Sequence, residues 1–315
     1  MNNTTLTTWY HEIINPTVLN AVYSIEGVIQ IVGNSIIICV IYKSTVLHRK
    51  EYCLPAALAV ADFIMGTGQL YAGIYRNYIT HSTANNCLRS KWDCLLKYHS
   101  ICFVFAGLAC PSVLCVISIE RLIACSSITL YAKLPMTRVV ILALLPFLVS
   151  GGLTVTALVS SYYTLRIAQY PPICMVVWGL TTWMEQIWSW YQFVAGTLSV
   201  LIYMLAVFFL YHNRARVVSE VMKQNKTRQM KVTQTLLVVI GFTFFLQMVP
   251  SLIIAITSGT LPQSVSQITG PITWILINGN SANNVVIYFV KNKEIRLAVL
   301  KMFRAKLFIA PPSAK

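Results

Sequence analysis

Apolar residues fall into seven long runs along the chain, and short polar segments separate the runs. A helix needs about 20 apolar residues to cross the hydrocarbon core of a bilayer, and each run can supply them. We therefore expect an all-α membrane protein, a seven-transmembrane helix bundle with a short amphipathic C-terminal helix. The runs predict spans at 21–42, 52–75, 95–123, 136–160, 186–211, 233–257 and 264–289.

The composition agrees with a membrane protein. Of the 315 residues, 57% are hydrophobic and only 10% are charged, whereas soluble domains carry about 25% charged residues. No long hydrophilic insertion interrupts the runs, so we expect a single seven-transmembrane domain over 1–315. It would divide into an N-terminal segment 1–20, a helix bundle 21–289, and a helix and tail 290–315.

The net charge of +15 raises the question of a nucleic-acid partner, and its distribution answers it. Most of the 24 Lys and Arg residues lie on the side of the loops 43–50, 126–138 and 212–231 and of the C-terminal tail. This bias places the tail in the cytoplasm of a multi-pass plasma-membrane protein. The lipid bilayer then accounts for the charge without nucleic acid. The basic residues on the other side are Arg76, Arg89, Lys91, Lys97 and Arg166.

The N-terminus is expected outside the cell. No basic residue precedes the first run, so the N-terminal segment does not resemble a cleaved signal peptide. Asn2 and Asn3 begin overlapping N-x-T sequences, which accept glycans only on the extracellular side. We therefore predict glycosylation at these two residues.

The basic segment after Tyr288 has a two-sided helical pattern. Ile295, Val299, Met302 and Phe303 fall on one face. The opposite face carries Lys293, Arg296 and Arg304. Such a helix is expected to lie along the inner membrane surface.

The nine cysteines divide by position. Six lie in or at the ends of spans, where they would pack as small apolar groups. Cys87, Cys94 and Cys174 fall on the outer side, where oxidation is permitted. A bridge from the top of the third helix would hold the loop before the fifth over the bundle. Cys94–Cys174 is the preferred pairing and Cys87–Cys174 the alternative.

Several charged and polar side chains interrupt the apolar runs. Glu120 and Arg121 lie at the membrane face of the third run, where Arg121 either anchors the helix end or has a function. Asp62 lies in mid-membrane with no basic residue in its own span. It must then be protonated, hydrated, paired with an ion or hydrogen-bonded across helices. It could form a structural polar cluster or a switch between two states of the bundle. Its candidate partners are Asn34, Asn280, Ser281, Asn283 and Asn284.

Five short motifs, in order along nearly the whole chain, resemble those of the rhodopsin-like G-protein-coupled receptors. They are Gly33-Asn34 in the first span, LAVAD ending at Asp62, ERL at 120–122, Pro250 in the sixth span, and Asn284-x-x-x-Tyr288. The sequence ERLIA at 120–124 is most similar to the corresponding motif of the nematode serpentine chemoreceptors of the Srsx group.

The resemblance implies a chemosensory receptor that binds a small extracellular molecule and activates a heterotrimeric G protein. It implies that Glu120 restrains Arg121 at rest, that Arg121 contacts the G protein in the active state, and that Tyr288 then swings inward. No cofactor or metal is implied. The central polar network would consist of Asn34, Asp62, Asn280, Ser281 and Asn284.

The sequence also departs from the pattern of these receptors. Val285 replaces the Pro expected after Asn284, and Met248 stands where many relatives carry a Trp two residues before Pro250. Cys110 occupies a position where the family often has the Ser of a sodium site. The fourth span lacks a Trp and the fifth lacks a Pro.

In this family the outer halves of the third, fifth, sixth and seventh spans line the ligand pocket. Many amine receptors have an Asp at the position of Phe103, which argues against an amine ligand. The seventh span has no Lys for a retinal Schiff base. Lys97 either attracts an acidic ligand or extends to the lipid headgroups. The pocket candidates, which suit a small organic molecule, are Lys97, His99, Phe103, Trp190, Gln247 and Trp274.

Two other classes were weighed against the receptor. A small-solute or ion transporter or channel would be favoured by internal repeats, broken helices in both halves or paired acids. Asp62 is the only acid in mid-bundle, with Glu26 nearer the outer end of the first span. The spans also lack H-E-x-x-H and G-x-S-x-G motifs, so we do not expect an enzyme.

Overall fold

The structure, a computed structural model, describes residues 15–82, 88–164, 168, 170–212, 220–257 and 263–307. Within these ranges the chain is 90% helical and forms no strand. Asn2, Asn3 and Cys87 lie outside the described residues, so the predictions that concern them stay predictions.

Long helices follow one another along the chain, and we label them α1 to α8. The sixth combines an α-helix Glu220–Thr243, a π-helical turn Phe244–Met248 and an α-helix Val249–Thr257. Shorter helices cover Thr45–Leu47, Lys91–Leu95, Ile128–Lys133 and Val176–Gly179. The other long helices are α1 Pro16–Lys43, α2 Lys50–His81, α3 Tyr98–Ser126, α4 Met136–Tyr163, α5 Thr182–His212, α7 Gln263–Lys291 and α8 Lys293–Leu307.

Six of these helices are long and apolar enough to cross a membrane: α1 to α5, and Thr233–Ile254 within α6. Leucines such as Leu148 and Leu201 are exposed on the outside of the bundle, as expected for a protein that faces lipid. A multi-pass membrane protein is thus confirmed. The seventh predicted span does form a 29-residue helix, α7. It is not among the six, and its four asparagines between residues 278 and 284 make it more polar.

The π-helical turn in α6 has a local cause. Pro250 has no N–H to donate, and its ring crowds the carbonyl one turn earlier. The helix widens over Phe244–Met248, directly before this proline. Wide turns of this kind redirect the side chains they contain. Here the turn carries the buried Gln247.

Glycines allow the first two helices to pack closely. A Cβ atom on Gly27 would lie 2.5 Å from the backbone nitrogen of Leu70. One on Gly66 would lie 2.7 Å from the Cβ of Gln30. Small residues commonly permit such close contact between membrane helices. This packing fixes α2, which carries Asp62, against α1.

Each end of the bundle is closed by a local contact. On one side Cys94 and Cys174 form a disulfide, which is the preferred pairing of the sequence analysis. It ties the segment before α5 to the top of α3. At the other end α8 follows α7 and buries Ile295 and Val299, while Arg296 is exposed. Phe303 and Arg304 belong to α8, but their side chains lie outside the described part of the chain.

Candidate functional site

Glu120 and Arg121 form a buried ion pair near the end of α3. Their side chains are 3% and 1% exposed. The Arg121 Nε donates to Glu120 Oε2 at 2.5 Å, and a terminal nitrogen donates to Oε1 at 2.5 Å. Paired bonds of this kind between a guanidinium and a carboxylate are strong and directional. Arg121 is therefore held by Glu120 inside the bundle and does not extend to the membrane surface.

Tyr131, which is not among the residues predicted from the sequence, covers this ion pair. Its hydroxyl accepts a bond of 3.4 Å from Arg121, and its ring centroid lies 5.9 Å from the guanidinium carbon. Burial and the Glu120 carboxylate raise the pKa of the Tyr131 hydroxyl, which stays neutral. The short helix Ile128–Lys133 that carries Tyr131 is capped by Ser127, whose hydroxyl accepts from Leu130 N. A serine at this position is a helix-start signal, and it could have predicted the short helix from the sequence.

Lys50, at the start of α2, fixes the far side of this short helix. Its ammonium group donates to the carbonyls of Tyr131, Ala132 and Leu134, the last at 3.3 Å. It also lies 4.2 Å from the Tyr131 ring centroid. A cation at a helix C-terminus binds the unpaired carbonyls there. The loop after α3 is thereby held against α2.

Further contacts lie in the halves of α5, α6 and α7 that are on the same side of the bundle as the Glu120–Arg121 pair. Tyr203 of α5 donates to the backbone carbonyl of Thr233 in α6. The Cys125 thiol of α3 lies 3.9 Å from the Thr233 hydroxyl. Tyr288, the predicted switch residue of α7, is buried, and its hydroxyl has no hydrogen-bond partner among the described residues. Thr233 thus joins α6 to both neighbouring helices.

Asp62 is the centre of a hydrogen-bonded cluster between α2, α3 and α7. It is 1% exposed. Its Oδ1 accepts from the Ser281 hydroxyl at 2.7 Å and from the Cys110 thiol at 3.4 Å. Its Oδ2 accepts from the Asn284 amide at 3.0 Å. Of the possibilities that the sequence left open, the structure has hydrogen bonding across helices.

The other two residues of the predicted central network have different partners. The Asn280 amide donates to Gln247 Oε1 at 3.1 Å and to the Thr243 hydroxyl at 3.3 Å. It therefore joins α7 to the π-helical turn of α6. Asn34 donates to the carbonyl of Gln30 in its own helix at 2.9 Å. The structure thus divides the predicted network into separate clusters.

A third polar cluster was not predicted, and it joins α1, α2 and α7. Gln30 donates to Gln69 Oε1 at 3.0 Å and to the Asn278 carbonyl at 2.8 Å. Gln69 in turn donates to Glu26 Oε2 at 2.5 Å. Glu26 and Gln30 are one helical turn apart, so they lie on one face of α1. That spacing could have identified them from the sequence.

Aromatic side chains fill the space beneath the disulfide. The ring centroid of Trp274 lies 5.4 Å from those of Phe103 and Trp188. His99 is buried, and its Nε2 lies 2.9 Å from the Cys174 carbonyl. Because a carbonyl only accepts, His99 must carry a proton on Nε2. Phe103, His99 and Trp274 are therefore brought together as predicted for a pocket.

Trp190 is not part of this aromatic group. It is 46% exposed and lines an apolar crevice between α3, α4 and α5, whereas Trp188 is 2% exposed. The buried face of α5 also carries Gln192, Gly196 and Tyr203. Trp188 lies on the same helical face as these small and polar residues, and this spacing would have predicted its burial from the sequence.

The remaining space in the aromatic group is small. Lys97 is half-buried at the rim, with its ammonium 5.2 Å from the Tyr75 ring centroid. The cavity between Phe103, Trp274 and their neighbours has a volume of about 10 Å³. That is room for roughly one water molecule. An organic ligand would have to displace side chains.

Two comparisons with known proteins bear on this arrangement. The family model of the serpentine type 7TM GPCR chemoreceptor Srsx matches residues 27–303. A search of curated proteins finds no significant match. The family match runs from the middle of α1 into α8 and includes the Glu120–Arg121 pair and the Asp62 cluster. The chain therefore belongs to the Srsx family of serpentine seven-transmembrane G-protein-coupled chemoreceptors.

Proposed function

We propose that this chain binds a small organic molecule on the extracellular side and activates a heterotrimeric G protein on the cytoplasmic side. The observation that carries the proposal is the buried Glu120–Arg121 pair in a chain of this family. The distribution of basic residues supports an extracellular N-terminus and a cytoplasmic tail at the plasma membrane.

In this proposal α7 is the seventh span and α8 lies along the inner surface. α7 has 29 residues and is therefore about 43 Å long, enough to cross. Its polar side chains oppose crossing only where they face lipid. Ser281 and Asn284 instead bond to Asp62, and Asn280 bonds to Gln247. The buried Ile295 and the exposed Arg296 support a surface position for α8.

The cytoplasmic contacts describe a closed resting state. Arg121 is held by Glu120 and covered by Tyr131, so neither a partner protein nor water can reach it. Thr233 contacts both Cys125 and Tyr203, which keeps α6 against α3 and α5. Outward movement of α6 would break these contacts and open the cavity around Arg121. Tyr288, whose hydroxyl lacks a partner among the described residues, would gain one in that opening.

The polar clusters give a route from the ligand to this face. Trp274 belongs to the aromatic group, and Asn280 lies roughly 9 Å further along the same helix. Asn280 contacts the π-helical turn of α6 through Gln247. A ligand that displaces Trp274 would thus move α7 relative to α6. The change would be a shift between two packed states that the ligand binds differently.

The proposal is tested by G-protein activation in membranes that contain the wild-type protein or the Arg121→Ala variant. The membranes are challenged with a panel of small volatile and acidic metabolites. We expect a response in the wild type that is lost in Arg121→Ala at equal surface expression. Solute flux or ion current that persists in Arg121→Ala but is lost in Asp62→Ala would instead indicate a transporter.

A further inference from the structure

Arg76 is a buried cation that the resting contacts above do not involve. It lies on α2 about four turns, roughly 21 Å, beyond Asp62. An Arg near a helix end usually extends its charged group to the membrane surface. Arg76 is instead only 8% exposed. The Tyr23 ring of α1 covers one side, with its centroid 5.3 Å from the guanidinium carbon.

No acidic side chain in the described part of the chain pairs with this guanidinium. Its Nε donates to the Ile173 carbonyl at 3.3 Å. Among the described residues the Arg76 side chain has no ion pair, and this is its only hydrogen bond. Two of the three described acids on this side are already bonded elsewhere: Glu26 accepts from Gln69, and Asp93 accepts from the Ser90 hydroxyl at 2.7 Å. The third, Glu185, forms no ion pair with Arg76. A buried charge without a counter-charge destabilises a fold, so such a residue points to a ligand.

The surroundings of Arg76 indicate the chemistry of that ligand. Arg76 lines the small cavity beneath the disulfide, and the other lining residues in the described part of the chain are apolar or aromatic. A guanidinium presents a planar fork of donors that matches a carboxylate. Aromatic walls bind the apolar body of a small molecule. Those walls are formed by Tyr23, Phe103, Met175, Val176 and Trp274.

We propose that Arg76 is the anion-binding residue of the ligand site, and that the ligand is a small organic carboxylate with an apolar or aromatic body. This inference rests on the proposed receptor function and extends it to a ligand class. The carboxylate pairs with the terminal nitrogens of Arg76. The body displaces the contact between Phe103 and Trp274. Lys97 lies at the rim, where it attracts the anion before it enters.

The first experiment measures binding without a G protein. The purified full-length protein in lipid nanodiscs is heated with short aliphatic and aryl monocarboxylates, each beside its methyl ester. We expect at least one acid at millimolar concentration to raise the melting temperature, and its ester to leave that temperature unchanged. Arg76→Gln should weaken binding of that acid about tenfold or more. Lys91→Gln removes an equal charge from the same side and should retain binding.

Three results would overturn the inference. They are no stabilisation by any acid, equal stabilisation by acid and ester, and stabilisation that persists in Arg76→Gln. Because this measurement needs no G protein, it is independent of the test of the receptor function. The wild-type protein could bind none of the acids and yet be activated by a neutral compound in a manner that depends on Arg121. That result would reject the carboxylate as the ligand class and retain the receptor function.

A second experiment separates ligand binding from a structural role of Arg76. Arg76→Met keeps much of the side-chain length and removes the unpaired charge. We expect the melting temperature of the ligand-free protein to stay equal or to rise. If Arg76 served only to hold the loop through Ile173, the melting temperature would fall, and the inference would be rejected. Arg76→Lys, which keeps the charge without the fork, should bind the acid more weakly than the wild type.

Discussion

Asp62 and Arg76 are both buried on α2, and the protein treats their charges differently. Asp62 accepts bonds from Cys110, Ser281 and Asn284, which come from two other helices. The Arg76 side chain has one hydrogen bond among the described residues, to a backbone carbonyl. Neither has an ion-pair partner among the described residues. Hydrogen bonds from neighbouring helices satisfy the Asp62 carboxylate. The terminal nitrogens of Arg76 have no such partner among the described residues and are available to a ligand.

The difference indicates separate roles for the two ends of the bundle. A buried polar group whose bonds are satisfied joins helices and specifies one packing. A group left unsatisfied lowers stability and is available to a ligand. We therefore expect substitutions at Asp62 to affect folding first. Substitutions at Arg76 should affect binding with little loss of stability.

The largest expected effect is that of Asp62→Ala. It leaves the Ser281 and Asn284 donors unpaired between helices, at a cost of about 1–3 kcal/mol each. Thermal unfolding in detergent should show a loss of about 4 kcal/mol for this variant. Asp62→Asn retains one acceptor and should lose less than half as much. Equal stability of Asp62→Ala and the wild type would remove the basis of the comparison.

Next in size is the loss of the disulfide in Cys174→Ala. The bond closes a sequence separation of 80 residues, and a loss of about 3 kcal/mol is expected. The change also frees the segment whose carbonyls contact Arg76 and His99. Thermal unfolding of this variant and of the wild type under oxidising conditions measures the loss of stability. Cys39→Ala, at an exposed free cysteine, is the matched control and should change stability by less than about 0.5 kcal/mol.

Single donors around Asp62 should have intermediate effects. Ser281→Ala and Asn284→Ala each remove one bond to the carboxylate and should cost about 1–1.5 kcal/mol. In the Asp62→Ala background the same changes should cost much less, because the donors have already lost their acceptor. A double-mutant cycle by thermal unfolding tests this coupling. Fully additive losses would show that the contacts act independently of Asp62.

The smallest effect is expected for Lys97→Gln. Lys97 is half-buried at the rim, where its charge remains partly hydrated. Stability should change by less than about 0.5 kcal/mol. An acid that binds the wild type should associate more slowly with Lys97→Gln. This difference in association rate should be smaller at high salt, because salt screens the charge of Lys97. A loss of binding as large as that in Arg76→Gln would show that burial does not distinguish the two cations.

The sequence was most informative where a residue had few ways to be satisfied. Asp62, Ser281 and Asn284 could be placed together because a carboxylate in mid-membrane must find donors on neighbouring helices. Glu120 and Arg121 were identified for the same reason. Asn34 was placed in the same cluster, but a carbonyl one turn earlier in its own helix satisfies it. An amide has more possible partners than a carboxylate, and its partner is harder to predict.

The outer site was less predictable because aromatic side chains tolerate several environments. Trp188 and Trp190 have the same chemistry, and only the rotation of α5 decides which is buried. Tyr131 lies in a short helix outside the spans, where hydropathy carries little information. Arg76 was assigned to the outer side by charge counting alone. Its burial depends on the Tyr23 ring and on the disulfide-anchored segment, which come from distant parts of the chain.

The most direct test of the proposed receptor mechanism needs no ligand. Glu120→Gln removes the negative charge that holds Arg121. A hydrogen bond to a charged group contributes about 1.5–3 kcal/mol, so agonist-independent nucleotide exchange on the G protein should rise about tenfold or more. Adding Arg121→Ala to the same chain should return exchange to background. Unchanged exchange in a well-expressed Glu120→Gln protein, or full activity in the double variant, would contradict the mechanism.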